Sequence, residues 1–216
     1  MKWLLLALTF LVGYLVGSVN LSLVVTKYIG KIDIYSVGSG NAGGTNVARS
    51  MGLGWGISVM AAEIAKSMVF GCIAKYLFPG DLFGLGEVGM CLSGVVCVAG
   101  CLVGNFFPCF AHFRGGKGVS VMGGLLIVLD PRIFLIVLGT FLLILLCFRM
   151  VSLSSLICGI VIPVCVALFY QPQEGWILLT VVVALMCASV WARHWGNICR
   201  IVQGTERKIS LGKKKK

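Results

Sequence analysis

The sequence predicts an all-α membrane protein, a polytopic helical bundle with about seven transmembrane helices. Of its 216 residues, 59% are hydrophobic and only 12% are charged, and the mean hydropathy is +1.03. Soluble domains carry about 25% charged residues, so this chain has too little polar material to cover a surface that faces water. These observations exclude the soluble, disordered and fibrous classes and predict a single membrane domain over residues 1–216.

Seven apolar segments are separated by breaks such as Pro79-Gly80-Asp81 and Asp130-Pro131-Arg132. A bilayer core of about 30 Å requires about 20 apolar residues per helix. The fourth segment is short, since its residues reach only about 16 Å. Segments four and five therefore form either two crossings or a re-entrant hairpin. The predicted segments are 3–26, 54–78, 83–107, 119–129, 133–148, 151–170 and 176–192.

The first segment follows Lys2 and begins at Trp3, so a signal peptide is the competing interpretation. Signal peptides end at a cleavage site of small residues. No such site follows this segment, which favours a retained membrane helix.

The basic residues are distributed unequally between the two sides of the predicted bundle. Of 18 Lys and Arg, Lys2 and Arg132 fall on one side, two lie within the second segment, and the others flank the opposite ends. Cytoplasmic loops carry an excess of Lys and Arg, so we expect the N-terminus outside and the C-terminus in the cytoplasm. The basic tail 213–216 is interpreted as a contact with anionic headgroups or a remnant of cloning.

The ten cysteines lie mostly within apolar segments and contain no C-x-x-C pair. We expect most of them to be free thiols that pack as small apolar residues. The two histidines, His112 and His194, are far apart in sequence, so no zinc ligand set is predicted.

The first of three polar stretches on the predicted cytoplasmic side is 38–49, Gly-Ser-Gly-Asn-Ala-Gly-Gly-Thr-Asn-Val-Ala-Arg. Its G-x-G-x-x-G pattern indicates a dinucleotide site only within a βαβ unit, whereas this stretch joins two membrane segments. Glycines nevertheless let backbone N–H groups converge on an anion, and Arg49 suits phosphate. A flexible loop is the alternative. The candidate phosphate-binding residues are Gly38, Ser39, Gly40, Asn41, Thr45, Asn46 and Arg49.

The second polar stretch is 113–118, Phe-Arg-Gly-Gly-Lys-Gly. It is not a Walker A loop, because Ala111 and Gly118 stand where that motif needs Gly and Ser or Thr. Lys117 between glycines, where a helix is expected to begin, is still well placed to hold a phosphate. Gly115 and Gly116 are included as candidate binding residues. The alternative is a basic anchor that only fixes topology.

The third polar stretch is 193–200 with 204–206. It contains Arg193, which is a candidate phosphate-binding residue, and also His194 and Asn197. If the seventh helix continues past the membrane, His194 and Asn197 share a face. The pair is then a candidate for a base or a positioning group, although a lone interfacial histidine is more often structural. In the second segment, Glu63 and Lys66 predict an intramembrane ion pair with a structural or loop-bracing role.

Together the three stretches resemble the signature regions of bacterial glycerol-3-phosphate acyltransferases that use acyl phosphate as donor, the PlsY family. The matches are 38–49, Phe107-Pro108-Cys109-Phe110 with 115–118, and 194–200 with 204–206, and their order and spacing fit along essentially the whole chain. The departures are Asn105 where the family usually has His, Gly44 for Ala, Arg114 for Lys, and Glu63 for Asp. The missing imidazole at Asn105 puts in doubt any scheme that needs it.

The resemblance implies transfer of a fatty acyl group from acyl phosphate to the 1-hydroxyl of glycerol 3-phosphate. The products are lysophosphatidic acid and phosphate, in phospholipid synthesis at the bacterial cytoplasmic (inner) membrane with the site facing the cytoplasm. No cofactor is expected. The expected partners are the two substrates, membrane lipid and the soluble enzyme that makes acyl phosphate, with no nucleic acid.

Our hypothesis assigns the chemistry to one cationic cup built from all three stretches. Ser39, Arg49 and Lys117 bind phosphate together with Gly40 and Asn41, and Asn197 orients a substrate. His194 positions or deprotonates the hydroxyl, or a substrate phosphate oxygen takes that proton instead. The competing functions are a transporter or flippase for an anionic metabolite and a non-catalytic lipid-binding protein. The first, fifth and seventh segments offer few polar groups for a transport path, which favours the enzyme.

Overall fold

The computed structural model describes residues 2–77 and 84–209, and within these ranges every regular element is a helix. The predicted break at 79–81 and the basic tail at 213–216 lie outside the described residues. Six helices are long and apolar enough to cross a membrane, and a seventh apolar helix is shorter. The prediction of an all-helical membrane bundle is confirmed.

Apart from the first, the predicted segments correspond closely to single helices, and further short helical elements lie between and after them. The long helices are α1 Lys2–Ser18, α4 Leu53–Leu77, α5 Gly86–Phe106, α7 Pro131–Phe148, α8 Val151–Tyr170 and α9 Trp176–Arg193. The shorter ones are α2 Leu21–Val24, a π-helical turn Val25–Ile29, α3 Gly44–Met51, a 3₁₀ turn Cys109–Ala111, α6 Val119–Leu129 and α10 Trp195–Val202.

The first predicted segment is not one continuous helix, because the chain breaks at Val19-Asn20. Asn20 caps α2 by accepting a hydrogen bond from the Leu23 N–H at 3.2 Å. The backbone groups freed by the break are satisfied from α4. The Leu21 N–H donates to Glu63 Oε1 at 2.7 Å, and Lys66 Nζ donates to the Val19 carbonyl at 2.6 Å. Glu63 and Lys66 also pair at 2.8 Å, so the predicted ion pair braces this break.

Helix α5 is the centre of the bundle, and α7 lies at its edge. In α5, 72% of the residues of its apolar window are buried, against 11% in α7. The side chains of Val95, Leu125 and Val183 are fully buried where α5, α6 and α9 contribute to one core. All ten cysteines are free thiols and six are buried, as the apolar context of their segments predicted.

Helices α1 and α5 pack with their backbones in direct contact through paired glycines. Gly13 and Gly17 of α1 face Gly100 and Gly104 of α5, each pair spaced as in the small-xxx-small motif of membrane helices. A methyl group added at Gly17 would lie 2.0 Å from the Cys101 carbonyl oxygen. The pattern was present in the sequence and was not used in the prediction.

Helix α6 is shorter than the neighbouring helix α8, and the difference leaves space at the N-terminal end of α6 for the candidate functional site. Tyr170 Oη donates to the Leu129 carbonyl at 2.9 Å, and Lys75 Nζ donates to the Val128 carbonyl at 2.9 Å. These bonds align the C-terminal end of α6 with the end of α8. Helix α8 has 20 residues and α6 has 11, so α6 begins about 14 Å below the start of α8. Polar loops fill the space above its first turn.

We expect Gly17→Ala to destabilise the bundle. The added methyl cannot be accommodated against a backbone carbonyl without separating α1 from α5, and overpacking of this kind costs about 1–3 kcal/mol or more. Thermal unfolding in detergent should show a lower midpoint. Gly139→Ala is the matched control, because Gly139 is exposed on α7 with no atom within 4 Å of the added carbon. Its midpoint should be unchanged or higher, since alanine favours a helix over glycine. Equal midpoints for the two variants would contradict the close packing.

Candidate active site

The three polar stretches meet in one cavity of about 130 Å³ above the first turn of α6. The first stretch contributes Ser39 and Arg49, the second contributes Lys117, and the third contributes His194 and Asn197. The structure therefore brings together all five residues predicted as catalytic. Of the residues predicted only as binding, Asn41, Thr45 and Asn46 also line this cavity.

The first stretch is a tight loop followed by a helix, and Asn46 organises it. Asn46 is 1% exposed. Its Oδ1 accepts from the Ser39 N–H at 2.8 Å, and its amide donates to the Ile34 and Val37 carbonyls at 3.0 Å. Both amide hydrogens are thereby used within the protein, so Asn46 has a structural role, and its part in phosphate binding stays a prediction.

Of the glycines in the first stretch, Gly43 and Gly44 line the cavity, whereas Gly38 and Gly40 do not. Gly38 has φ +58°, and a methyl group on it would lie 2.0 Å from Asn46 Oδ1, so only glycine fits. Gly40 also has a positive φ, of +66°. Phosphate binding by Gly38 and Gly40 stays a prediction. The alternative was a flexible loop followed by a topological arginine, whereas residues 44–51 form helix α3 and this helix carries Arg49.

The second stretch is held against the end of α5 by Asn105. The Gly116 N–H donates to the Asn105 carbonyl at 2.9 Å, and the Gly118 N–H donates to Asn105 Oδ1 at 3.1 Å. A methyl group at Gly115 would lie 2.0 Å from the Asn105 carbonyl. Gly115 and Gly116 thus permit close approach and do not line the cavity, contrary to the prediction. Asn105, where the resemblance leads one to expect histidine, fixes the loop that carries Lys117.

The third stretch bends at His194 and does not continue as one helix. Helix α9 ends at Arg193, and α10 begins at Trp195. The bend still leaves His194 and Asn197 on the same cavity. Arg193 lies outside the cavity, contrary to the prediction. Its guanidinium donates to the Gly116 carbonyl at 3.2 Å and stacks on Phe106 and Phe107, so it braces the second stretch.

Glu206 connects the second and third stretches, and sequence reasoning gave it no role. Its carboxylate accepts from Ser152 Oγ at 2.6 Å, from Asn197 Nδ2 at 2.7 Å and from Arg200 Nε at 2.8 Å. Asn197 Oδ1 in turn accepts from Lys117 Nζ. Burial raises the pKa of the Glu206 carboxyl, but the three hydrogen bonds outweigh burial and hold that pKa below its usual value. The carboxylate is therefore charged at neutral pH.

Ser152 and Ser155 of α8 also line the cavity and were missed. The only signal in the sequence is the run Ser-Leu-Ser-Ser at 152–155, which is polar for the start of an apolar helix. Nothing in the three polar stretches indicates that α8 contributes to the cavity.

The cavity is electropositive, and its two central groups have strongly shifted pKa values. Burial, reinforced by the charge of Arg200, lowers the pKa of Lys117 to about 8. Burial lowers the pKa of His194 to about 4, against the opposing effect of its hydrogen bond to Val190. Burial and the nearby Arg207 also lower the pKa of Arg49. Two carboxylates also line the cavity, but Glu63 pairs with Lys66 and Glu206 pairs with Arg200. The remaining excess of positive charge suits an anionic ligand.

The tautomer of His194 follows from its neighbours. Its Nδ1 lies 2.8 Å from the Val190 carbonyl, and a carbonyl oxygen only accepts, so Nδ1 carries the hydrogen. A neutral imidazole then has an unprotonated Nε2. His194 can therefore accept a hydrogen bond at Nε2 from a group in the cavity.

An apolar groove of about 420 Å³ continues from the cavity between α4, α6, α7 and α8. Met60, Val119 and Ser155 line both spaces. The groove extends along α6 to Leu126, with Phe134 of α7 and Ile162 of α8 at the same end. A ligand with an anionic head and an apolar tail matches the two spaces together. In the described ranges no three His, Cys, Asp or Glu side chains are grouped to hold a metal ion.

Known proteins match this chain along nearly its whole length. The family model for glycerol-3-phosphate acyltransferase matches residues 7–204. A glycerol-3-phosphate acyltransferase from Bacillus velezensis is 37% identical, with 95% of this chain and 98% of the relative covered. One from Ralstonia pickettii is 36% identical, with 95% and 94% covered.

Two solved structures of PlsY, an integral membrane glycerol 3-phosphate acyltransferase, share the fold. Its glycerol 3-phosphate form has a TM-score of 0.83 and 27% identity, covering 95% of this chain and 96% of the other. Its lysophosphatidic acid form has a TM-score of 0.78, also at 27% identity, covering 95% of each chain. The chain described above therefore belongs to the glycerol-3-phosphate acyltransferase family.

Proposed function

We propose that this acyltransferase moves a fatty acyl group from acyl phosphate to the 1-hydroxyl of glycerol 3-phosphate, giving lysophosphatidic acid and phosphate. The observation that carries the proposal is the continuity of a cationic cavity with an apolar groove. Both substrates present a phosphate, and one also presents a long apolar chain. The names of the relatives and of the two PlsY structures support the same acceptor and product.

The phosphates bind at the cationic end of the cavity. Arg49 supplies a guanidinium fork, and Lys117 supplies an ammonium positioned by Asn197. Ser39, Asn41 and Thr45 add neutral polar groups on the same wall. Asn197 acts here by orienting Lys117, which refines its predicted role of orienting a substrate directly.

The reaction needs no covalent intermediate on the protein. The acceptor hydroxyl oxygen attacks the acyl carbonyl carbon, the carbon–oxygen bond to phosphate breaks, and phosphate leaves with the bonding pair. Lys117 and Arg49 stabilise the negative charge that grows on the leaving phosphate and on the carbonyl oxygen. Holding the hydroxyl against the carbonyl contributes the remaining acceleration.

His194 positions the acceptor, and a phosphate oxygen takes the proton. With a pKa of about 4, the buried imidazole is a weak base. A phosphate monoester has a second pKa of about 6 and so holds the proton more strongly. Nε2 accepts a hydrogen bond from the neighbouring 2-hydroxyl of glycerol 3-phosphate. The hydrogen of the 1-hydroxyl then remains available to a phosphate oxygen, and the lone pair of the 1-hydroxyl faces the carbonyl carbon.

The acyl chain lies in the apolar groove. From Ser155 to Ile162 the groove follows α8 for about 10 Å. Gly123 keeps it open between α4 and α7, since a methyl group there would lie 3.1 Å from Ile64 Cγ1 and 3.9 Å from the Phe134 ring. The floor of the groove is therefore formed by Phe134, Leu126 and Ile162.

The site faces the cytoplasm of a bacterial cell, in its inner membrane, with the N-terminus outside. Support for this orientation comes from the basic residues that flank the cavity end of the bundle, among them Lys27, Lys31 and Arg149. Water-soluble glycerol 3-phosphate enters from this side. Acyl phosphate reaches the groove from the leaflet or from a soluble enzyme that makes it. The whole chain, 1–216, forms one catalytic domain.

The direct test is an assay of the purified protein in liposomes with acyl phosphate and labelled glycerol 3-phosphate. We expect labelled lysophosphatidic acid and an equal amount of released phosphate, and no product when an acyl thioester replaces acyl phosphate. Lys117→Ala should lose about 10²-fold or more, whereas the exposed Lys208→Ala should match the wild type. Absence of product with folded wild-type protein would reject the proposal.

The same assay with donors of different chain length tests the groove. Gly123→Leu fills the space beside Ile64 and should shift the preference towards shorter acyl chains. Gly139→Leu on the outer face of α7 is the control, with an unchanged profile. A parallel loss for all chain lengths in Gly123→Leu would place the acyl chain elsewhere.

His194→Gln and His194→Ala separate positioning from base catalysis. Glutamine places an amide near Nε2 and can still accept a hydrogen bond, so we expect a loss of about tenfold, against about 10²–10³-fold for alanine. The shape of the pH–rate profile should be the same in the wild type and His194→Gln. Equal losses in both variants, together with the disappearance of an acidic limb, would identify His194 as the base.

The charge of Lys117 predicts an alkaline limb in the pH dependence of kcat/KM. The ammonium is present below its pKa of about 8 and is lost as the pH rises through that value, so kcat/KM should fall about tenfold per pH unit above it. Glu206 raises the pKa of Lys117. Glu206→Gln should therefore move the limb to lower pH, and a limb that stays in place would exclude Lys117 as its origin.

A further inference from the structure

We propose that a second cavity at the cytoplasmic end of the bundle binds the phosphate headgroup of an anionic phospholipid. This interfacial cavity has a volume of about 830 Å³ and shares no lining residue with the active-site cavity. Its walls are the break after α1, the π-helical turn, the loop 31–35 and the 3₁₀ turn. This interfacial cavity binds a lipid and takes no part in the proposed acyl transfer.

The interfacial cavity carries uncompensated positive charge. Lys27 and Lys31 line it, and His112 adds an imidazole. Its single carboxylate, Asp33, already accepts from the Tyr35 N–H at 3.0 Å. Among the residues that the structure describes, neither lysine lies within 4.0 Å of a carboxylate oxygen. The negatively charged phosphate of a lipid headgroup would neutralise the excess positive charge of the two lysines.

The backbone around this cavity is held in uncommon conformations. Lys31 and His112 both have φ +50°, in the left-handed region that non-glycine residues rarely adopt. The π-helical turn Val25–Ile29 lines the same cavity, and the Ile32 N–H holds its end by donating to the Thr26 carbonyl at 2.9 Å. Such features concentrate at functional sites, and here they flank a single cavity that the acyl-transfer reaction does not use.

The rim of the interfacial cavity identifies the ligand as an amphiphile. Tyr28 is 70% exposed and Phe110 is 69% exposed, and both line the cavity. Ile29 and Phe113 next to them are also exposed. Aromatic and apolar side chains beside lysines are typical of the membrane–water interface, where anionic lipids attract basic residues. A free anion would have no use for this apolar rim, so the ligand is a lipid headgroup with its chains in the bilayer.

The test measures lipid binding to the full chain in nanodiscs of phosphatidylcholine to which phosphatidylglycerol is added, by native mass spectrometry. The double variant Lys27→Gln/Lys31→Asn removes both charges, and asparagine tolerates the positive φ at position 31. We expect its affinity for phosphatidylglycerol to fall about tenfold. Lys208→Gln, an exposed charge outside both cavities, is the control and should bind as the wild type does.

Competition identifies the source of the phosphate. Inorganic phosphate or glycerol 3-phosphate at saturating concentration should leave phosphatidylglycerol bound. Displacement by either would overturn the proposal in favour of a free-anion site, and so would wild-type lipid affinity in the double variant. If that variant does not fold, Lys27→Gln alone, which leaves the positive φ at position 31 unchanged, should lower the affinity by about threefold, and an unchanged affinity would again overturn the proposal. Because the readout is binding, its outcome is independent of acyl transfer.

Discussion

The structure depends on satisfying polar backbone groups at a depth where water is scarce. Irregular chain within a membrane bundle requires partners from the protein itself, and a few side chains provide them. Glu63 and Lys66 bond the backbone at the break after α1, Asn46 bonds three groups of the first loop, and Asn105 bonds the loop before α6. The loops that carry the functional residues are therefore fixed before any substrate arrives.

The charged groups around the active-site cavity are also balanced by only a few partners. Lys117, Arg49, Arg200 and Arg207 crowd one small region, and their mutual repulsion is countered by Glu206. This carboxylate reaches Lys117 through Asn197 and not directly, so the ammonium keeps its remaining hydrogens for a ligand. A direct ion pair would have neutralised the charge that a phosphate needs. Burial then explains why both Lys117 and His194 favour their neutral forms more than free side chains do.

The sequence was sufficient for the fold class, for the approximate segments and for the meeting of three distant stretches. Hydrophobicity and motif spacing are local properties, and they predict these features well. The break at Asn20, the bend at His194 and the roles of Glu206 and Ser152 were not predictable in the same way. Each depends on a partner from another helix, so no local pattern distinguishes a polar residue that lines the cavity from one that braces it. Gly38 and Gly115 show this most clearly. Both were predicted to bind phosphate, and in the structure both allow close packing, of Gly38 against Asn46 and of Gly115 against Asn105.

The short α6 has a consequence for how the two products separate. Because its N-terminal end lies low in the bundle, α6 leaves a polar chamber above it that is continuous with an apolar groove at its side. In the proposed reaction, the released phosphate is hydrated and leaves through the polar chamber, whereas the acylated product is already seated among the hydrocarbon side chains of the groove and leaves sideways. The two products therefore leave in different directions, phosphate into water and the acylated product into the membrane, and neither obstructs the other.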